Sequence, residues 1–535
     1  MIKKLIEKII NTEISAWQWV TGFVGILFIR YILENISSQN HLGIITADAA
    51  TLIHYCLFYF GVIISFTLIL KIFLPIKIQE ITKLTLFILP IIWLPPLFDL
   101  LITWGVGWDM SYHFAYAPQL FIDWLAFFGD FTSGITPGIR LEIFLLLTGS
   151  ALLIYAYTKN FFKSIIGIIT LYTGLFLWLS APSILYLIGD LFRLQTADIY
   201  NFLPSLVNGS VLNNNLFMPD TAIADITRLK EIQFNRALIQ IYTIIIVIIM
   251  AAWSYLKNKY DLIAIIKNSR PRRLLFYFSF IIIGLVIAAK NQLYSWSGNF
   301  LDLTTFVCAG LSYYGAWMFS VGVNDIADRP IDRITNQIRP LITKEISVRR
   351  MQDYNIFFLI LAVVSAYAVS PYMLFFILVF MAAYFIYSSH PLQIKRLPVI
   401  STFLIALVAL SVTLSAFFMV SHDKTISAFP TDIILIIIAT VTLFANVKDI
   451  KDYQGDKKNS INTLPAKLGL KKSKVIIGYM TLLSFLVMPL ISARWWLLIP
   501  ALICGLIAYW LINKQNYQEK YLFYLYFFFV IIILL

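Results

Sequence analysis

Long apolar stretches separated by short polar breaks occupy almost the whole chain. Two of them, residues 238–256 and 398–420, contain no Asp, Glu, Lys, Arg or His at all. Each matches the length of roughly 20 residues that a helix needs to cross a hydrocarbon layer of about 30 Å. The pattern predicts an all-α, polytopic membrane protein.

The apolar runs predict about fifteen transmembrane helices in two groups. Six are expected at residues 16–33, 49–73, 81–104, 139–158, 161–188 and 238–256, and nine at 274–289, 303–323, 354–370, 372–388, 399–420, 433–447, 475–491, 495–512 and 521–535. A basic connector at residues 257–273 lies between the groups. We therefore expect a six-helix membrane domain at residues 1–260 and a nine-helix domain at residues 261–535. A break at Ala181-Pro182 would change the count.

Charge changes the picture mainly through topology. The 535 residues are 60% hydrophobic and 13% charged, and 41 Lys and Arg against 28 Asp and Glu leave a net charge of +13. The basic residues form short clusters between apolar runs rather than one basic face, which argues against a nucleic-acid partner. They collect in alternate loops, which predicts a multi-pass protein with a cytoplasmic N-terminus and cytoplasmic basic loops. The three cysteines lie inside apolar runs without CxxC spacing and are expected to be packing residues.

Carboxylates are concentrated in two of the predicted cytoplasmic loops, in a matched pattern. The acids stand at positions i, i+3 and i+7 in a first acidic segment (residues 324–332) and a second acidic segment (residues 449–456): Asp325, Asp328 and Asp332, then Asp449, Asp452 and Asp456. On a continuing helix these positions share one face, and their mutual repulsion favours a bound cation. Two opposed faces would offer the oxygen ligands that Mg²⁺ prefers, completed by phosphate oxygens. The alternative is that both are solvated helix ends.

The two motifs, Asn324-Asp325-x-x-Asp328-x-x-x-Asp332 and Asp449-x-x-Asp452-x-x-x-Asp456, resemble the aspartate-rich motifs of the UbiA superfamily of intramembrane prenyltransferases. The likeness covers about residues 270–535. The first motif follows the second of nine predicted spans, and the second motif follows the sixth. Tyr387-Ser388-Ser389 and Lys395-Arg396, after the fourth span, fall where the family has a tyrosine and basic residues that contact diphosphate.

The resemblance implies Mg²⁺-dependent transfer of an isoprenyl group from a prenyl diphosphate to an aromatic or glycerol-phosphate-type acceptor within the membrane. Magnesium and basic side chains would neutralise the departing diphosphate as an allylic cation forms, so no covalent nucleophile is needed. The expected partners are the prenyl diphosphate donor, a small or lipid acceptor, and membrane lipids. A role in lipid or quinone biosynthesis would follow.

The resemblance also assigns expected roles to single residues. The expected magnesium ligands are Asn324, Asp325, Asp328, Asp332, Asp449, Asp452 and Asp456, of which Asp328, Asp332, Asp452 and Asp456 are the expected catalytic residues. The expected diphosphate contacts are Asn324, Arg339, Tyr387, Lys395, Arg396 and Lys448. Pro330 should interrupt the helix of the first motif. Tyr313, Tyr314 and Trp317 would line a tunnel for the isoprenoid tail or pack in the core.

Two alternatives remain open for the second half: phosphoribosyl transfer to a polyprenyl phosphate on the same fold, or a transporter or scaffold that binds cations without chemistry. An aromatic tail tunnel, rather than a polar sugar pocket, would favour the prenyltransferase. In the first half, the acids and histidine at Asp109, His113, Asp123 and Asp130 are either a second site or ordinary loop polarity. Asp99 is the sharper signal there, because an intramembrane carboxylate is costly, whereas His54 is expected to be a packed histidine.

Overall fold

A computed structural model describes residues 2–38, 49–130, 134–191, 198–208, 210–215, 226–291, 298–459 and 461–534. Nearly all regular structure in these ranges is helical, and fourteen helices are long and apolar enough to cross a membrane by length and composition. A further predicted span corresponds to the 16-residue apolar helix Glu519–Leu534. The prediction of an all-α, multi-pass membrane protein is confirmed.

The chain forms two compact units. The first comprises Met1–Lys259 with Gly298–Thr305, and the second comprises Tyr260–Ser297 with Phe306–Leu535. Helix Ile226–Lys267 contains residues of both units, and its backbone leaves helical geometry at Asn258 (φ −166°, ψ 102°).

The first unit contains the helices of the first predicted group, with two departures caused by proline. Besides helix Ile226–Lys267, the helices of this unit are Ile2–Asn11, Ala16–Ser37, Ala49–Phe73, Ile78–Ile88, Leu94–Ile102, Gln119–Leu125, Pro137–Thr158, Phe161–Leu179, Ala181–Leu191 and Phe202–Asn208. The span predicted at residues 161–188 is wrong as a single helix, because the helix ends at Leu179 and a new one begins before Pro182. The prolines at 90, 95 and 96 accompany a 3₁₀ segment, Leu89–Trp93, inside the third span.

Among its described residues, the second unit contains nine long apolar helices, one of which begins in the first unit, and three short ones. The long helices are Pro271–Lys290, Phe300–Ala327, Val348–Val369, Pro371–Ser388, Ile400–Val420, Thr431–Phe444, Leu470–Ile491, Leu498–Asn513 and Glu519–Leu534, and the short ones are Arg329–Thr335, Asp449–Lys458 and Leu464–Leu468. Small residues let the long helices approach closely. A Cβ on Gly284 would lie only 2.3 Å from the carbonyl oxygen of Thr413, so helices Pro271–Lys290 and Ile400–Val420 meet backbone to backbone there.

Candidate active site

A cavity of about 160 Å³ in the second unit is lined by many ionisable side chains. Six of these are carboxylates and six are cations: Asp328, Asp332, Asp449, Asp452, Asp456 and Glu519, with Arg270, Arg273, Arg339, Lys395, Lys448 and Lys451. Aromatic side chains complete the wall, among them Phe276, Tyr277, Trp317, Phe444 and Phe523. The cavity therefore combines a charged region with an apolar one.

The first acidic segment does not lie on one continuous helix. Helix Phe300–Ala327 ends just after Asp325, Asp328 stands at the junction, and helix Arg329–Thr335 begins with Pro330 in its first turn. Proline is well tolerated in a first helical turn because the amide hydrogen it lacks would be unpaired there anyway. The interruption expected from Pro330 is confirmed, and Asp332 reaches the cavity from the new helix.

The second acidic segment follows a nearly continuous helical path. Helix Thr431–Phe444 passes through a single 3₁₀ turn, Ala445–Lys448, into helix Asp449–Lys458. All three acids of this segment line the cavity, as the shared face of a helix predicts.

The two acidic segments lie side by side and are bridged by Asn336. The side-chain amide of Asn336 donates a hydrogen bond of 2.8 Å to Asp332 Oδ1 and a long one of 3.5 Å to Asp452 Oδ1. Helices Arg329–Thr335 and Asp449–Lys458 approach closely at Gly455, where a Cβ would lie 2.7 Å from Thr335 Cγ2 and 2.8 Å from Ile331 Cγ2. The glycine thus allows carboxylates that are distant along the chain to face the same cavity.

Several side chains expected to contact diphosphate are paired with neighbours at the cavity wall. The Lys395 ammonium donates to the Asp328 carboxylate, and Ser388 Oγ donates a hydrogen bond of 3.0 Å to Asn324 Oδ1. The Lys448 ammonium donates to the hydroxyl of Tyr387 at 2.6 Å. Cations in such positions can exchange these partners for phosphate oxygens, which accept strong charge-assisted hydrogen bonds.

Burial shifts the pKa of several groups in the cavity wall, Lys395 and Asp332 among them. It lowers the pKa of Lys395 to about 8, although Asp456 opposes the shift. It raises the pKa of Asp332 above the usual value for an aspartate, although Arg339 opposes that shift. In both cases desolvation disfavours the charged form of the side chain. An opposite charge that enters the cavity would stabilise that charged form.

Two residues predicted for the site do not line the cavity. Asp325 is 2% exposed and forms ion pairs with Arg270 and Arg339 instead. Arg396 is exposed, whereas Lys395 beside it is buried, because the two belong to a single 3₁₀ turn, Ile394–Arg396, that directs neighbouring side chains apart. The remaining predicted site residues, Asn324, Arg339, Tyr387 and Lys448 included, are at the wall.

Sequence reasoning missed several polar side chains of this cavity, among them Arg270, Arg273, Asn336, Lys451 and Glu519. The arginines stand in the basic connector, where they were interpreted only as topology signals. Glu519 accepts hydrogen bonds from Arg273 at 3.1 Å and from Lys451 at 2.8 Å. It lies outside both acidic segments, so spacing along the chain carries no signal for it.

Of the three aromatic residues proposed for a tail tunnel, Trp317 lines the cavity. Tyr313 hydrogen-bonds to Ser415 at 2.6 Å within the buried core, and Tyr314 packs its ring against Phe358. A second, largely apolar cavity of about 80 Å³ lies in the same unit and shares two wall residues, Val441 and Phe444, with the first. The two cavities are therefore adjacent.

The donor set fits Mg²⁺ only with help from a ligand. Within the described residues, no three His, Cys, Asp or Glu side chains are grouped closely enough to hold a metal ion by themselves. Mg²⁺ usually takes one or two protein carboxylates and keeps phosphate oxygens and waters as its other ligands. The carboxylates around this cavity are sufficient for that mode of binding.

In the first unit, two of the four candidate polar loop residues, His113 and Asp123, contact each other. His113 Nε2 lies 2.9 Å from Asp123 Oδ2, and the Gln119 amide donates to Asp123 Oδ1 at 2.6 Å. Ser38 Oγ donates to Asp109 at 2.5 Å, whereas Asp130 is exposed. These contacts fit ordinary structural roles.

The two intramembrane candidates of the first unit also have partners. Asp99 is fully buried, and its Oδ1 accepts a hydrogen bond of 2.8 Å from the backbone of Gly138. His54 Nε2 lies 2.6 Å from the hydroxyl of Tyr112. As expected, His54 is a packed, hydrogen-bonded histidine.

The fold and cavity together define a polytopic helical membrane protein with a charged site in its second unit. Residues 277–532 match the model of the UbiA prenyltransferase family. This match confirms, for residues 277–532, the resemblance carried by the two aspartate-rich motifs.

Two relatives match part of the chain. The chain is 30% identical over 225 residues to homogentisate solanesyltransferase of Arabidopsis thaliana, covering 38% of this chain and 56% of that protein. It is 27% identical over 167 residues to digeranylgeranylglyceryl phosphate synthase of Sulfolobus acidocaldarius, covering 30% of this chain and 58% of that protein. The matched region thus spans less than two thirds of the length of either relative.

Among solved structures, a UbiA homolog from Archaeoglobus fulgidus bound to GPP and Mg²⁺ aligns with 50% of this chain and 96% of its own, at 20% sequence identity and a TM-score of 0.41.

Proposed function

We propose that this protein is a Mg²⁺-dependent membrane prenyltransferase. It transfers an isoprenyl group from a prenyl diphosphate to an aromatic or glycerol-phosphate-type acceptor, and its second unit is the catalytic domain. The observation that carries the proposal is the cavity in which six carboxylates and six cations meet beside aromatic side chains. A diphosphate and its Mg²⁺ ions largely cancel in charge, so such a balanced wall suits them together.

The carboxylates and the cations of the cavity would have different roles. The carboxylates Asp328, Asp332, Asp449, Asp452 and Asp456, with the Asn324 amide oxygen, would hold Mg²⁺. When bound, Mg²⁺ would neutralise charge on the diphosphate oxygens and so make diphosphate a better leaving group. The cations Arg270, Arg273, Arg339, Lys395 and Lys448 would bind the outer phosphate oxygens.

In the reaction, the bond between the first carbon of the isoprenoid and the diphosphate oxygen breaks, and the acceptor forms a bond to that carbon and loses a proton. Negative charge builds up on the departing diphosphate, where arginines and lysines stabilise it in a site already arranged for it. The rings of Tyr277 and Trp317, whose centroids are 5.4 Å apart, form part of the wall that would face the allylic cation.

The isoprenoid chain would occupy the aromatic part of the cavity and the adjacent apolar one, with Phe444 between them. This apolar wall favours an isoprenoid donor over a phosphoribosyl donor, which would need a polar sugar pocket. The acceptor classes are those in the names of the relatives, one of which acts on homogentisate and the other of which makes a glyceryl phosphate.

The test is diphosphate release by purified full-length protein in lipid nanodiscs. Geranylgeranyl diphosphate is offered with a panel of aromatic and glycerol-phosphate acceptors, and product is identified by mass spectrometry. We expect product that disappears with EDTA and with Asp328→Ala, and that is retained by the control Asp432→Asn, an exposed acid at the far end of helix Thr431–Phe444. No diphosphate release from any donor length by folded protein would refute the proposal.

A further inference from the structure

Asp325 lies behind the cavity wall and contacts two arginines that line it. Its Oδ1 accepts from Arg270 and, at 3.4 Å, from Arg339, while its Oδ2 accepts a hydrogen bond of 2.7 Å from the side-chain amide of Asn268. Asp325 is 2% exposed, and the arginine side chains are 15% and 16% exposed. Both arginines line the cavity, whereas Asp325 does not.

Two neighbouring, largely buried arginines repel each other and need an anion between them. Burial, with a smaller contribution from the charge of Arg339, lowers the pKa of Arg270 to about 10, although Asp325 opposes the shift. One carboxylate oxygen shared by two guanidinium groups offsets this repulsion and fixes where both groups lie.

The backbone around Arg270 is also held in place. Arg270 has φ 51° and ψ 62°, a left-handed conformation that non-glycine residues rarely adopt. The Trp317 indole donates a hydrogen bond of 2.7 Å to the carbonyl oxygen of Ser269, the preceding residue. Trp317 and Asp325 belong to the same helix, Phe300–Ala327. That helix therefore holds both the backbone next to Arg270 and the Arg270 guanidinium.

We propose that Asp325 is a positioning residue that holds Arg270 and Arg339 for the diphosphate of the donor, and that it is not a magnesium ligand. This inference rests on the proposed prenyltransferase function. Asp325, the first aspartate of the first acidic segment, thus supports diphosphate binding through the two arginines. The corresponding residue of the second segment, Asp449, lines the cavity itself.

The experiment compares Asp325→Asn with Asp449→Asn in the full-length protein in nanodiscs. Each substitution keeps the side-chain shape and removes the charge. For Asp325→Asn we expect the donor KM, and the Ki of inorganic diphosphate as a competitive inhibitor, to rise by about ten- to a hundredfold, because two charge-assisted contacts lose their alignment. The Mg²⁺ concentration for half-maximal rate should stay unchanged. Asp449→Asn should instead raise that Mg²⁺ concentration.

A double-mutant cycle tests the route of the effect. If Asp325 acts through the arginines, Asp325→Asn should raise the donor KM much less in an Arg339→Gln background than in the wild type. Full additivity of the two substitutions would overturn the inference. So would an unchanged donor KM in Asp325→Asn, or a rise in its Mg²⁺ requirement equal to that of Asp449→Asn.

Asn268→Ala keeps the test valid should Asp325→Asn fail to fold, as judged by size-exclusion chromatography. It removes only the hydrogen bond to Oδ2, so it should give a smaller rise in donor KM with the same Mg²⁺ requirement. A raised Mg²⁺ requirement with an unchanged donor KM would refute the inference. Absence of turnover in the wild type would refute the proposed function alone. Calorimetric binding of inorganic diphosphate with Mg²⁺ would then decide the role of Asp325, since only a positioning role predicts weaker diphosphate binding at unchanged Mg²⁺ affinity.

Discussion

The two acidic segments share one spacing but differ in structure. In the second segment the acids follow a nearly continuous helical path, and all three line the cavity. In the first, the helix ends after Asp325 and restarts at Arg329, so Asp325 and Asp332 belong to different helices. Asp325 consequently contacts Arg270 and Arg339 behind the wall, while Asp332 lines it.

The difference shows that equal spacing predicts equal roles only while the helix continues. Positions i, i+3 and i+7 share a face because of the helical period, and a restart removes that relation. Pro330 accounts for the restart: in the middle of a continuing helix its ring would clash with the preceding turn, whereas in a first turn it does not. No proline stands within residues 445–458, so the second segment keeps its face.

The largest effect should come from the middle acid of each segment, which lines the cavity in both. We expect Asp328→Asn and Asp452→Asn each to lower kcat/KM by about a hundredfold or more, because each removes a charge that opposes the cations and that, under the proposed function, would help to hold Mg²⁺. Steady-state kinetics with saturating Mg²⁺ measures this, with Asp432→Asn as control. A middle acid that tolerates substitution would mean that the two segments are not equivalent even at their shared positions.

The first acid of the second segment should affect metal binding. Asp449→Asn should raise the Mg²⁺ concentration for half-maximal rate by at least about tenfold, the usual cost of disturbing a metal site. Titration of activity with Mg²⁺ at fixed donor concentration measures it. If Asp449→Asn changed the donor KM and left the Mg²⁺ requirement unchanged, the contrast drawn between Asp325 and Asp449 would be wrong.

The contact between the segments depends on Gly455. Gly455→Ala places a Cβ 2.7 Å from Thr335 Cγ2 and 2.8 Å from Ile331 Cγ2, and β-branched side chains have little freedom to move away. We expect destabilisation of about 1–3 kcal/mol and a several-fold lower kcat, as the segments separate.

Gly310→Ala is the matched control for Gly455→Ala, since a Cβ there meets nothing within 4 Å. It should leave activity unchanged. Thermal unfolding in detergent, together with kcat, compares the two variants. Equal thermal stability and equal kcat of the two variants would show that the close contact at Gly455 is not required.

The smallest effect is expected from an acid outside both segments. Glu519 pairs with Arg273 at 3.1 Å and with Lys451 at 2.8 Å. Glu519→Gln should change the donor KM by less than about fivefold, because partly exposed ion pairs contribute little. A fall in kcat/KM as large as that expected for Asp452→Asn would show that Glu519 matters as much as the acids of the two segments.

Much of the architecture was predictable because membrane helices have a strong sequence signal. Every predicted span falls mainly on helical residues, and the main error, residues 161–188, arose where a break before Pro182 splits a uniformly apolar run. The cavity acids were predictable too, since both motifs follow apolar helices at a fixed spacing. Arg270 and Arg273 were missed as site residues because basic residues at helix ends also act as topology signals, and a sequence does not separate the two roles.

The sequence by itself determined the class of protein, the positions of its helices, the two aspartate-rich motifs and the break at Pro330, because hydrophobic length and proline geometry are local properties. Only the tertiary structure decided which charges meet. Asn268 and Arg270 contact Asp325 from 57 and 55 residues away along the chain, and Asn336 contacts Asp452 from 116 residues away. Such pairings depend on how helices pack, and the same side-chain charge becomes a candidate metal ligand or an anchor for arginines according to the partner it meets.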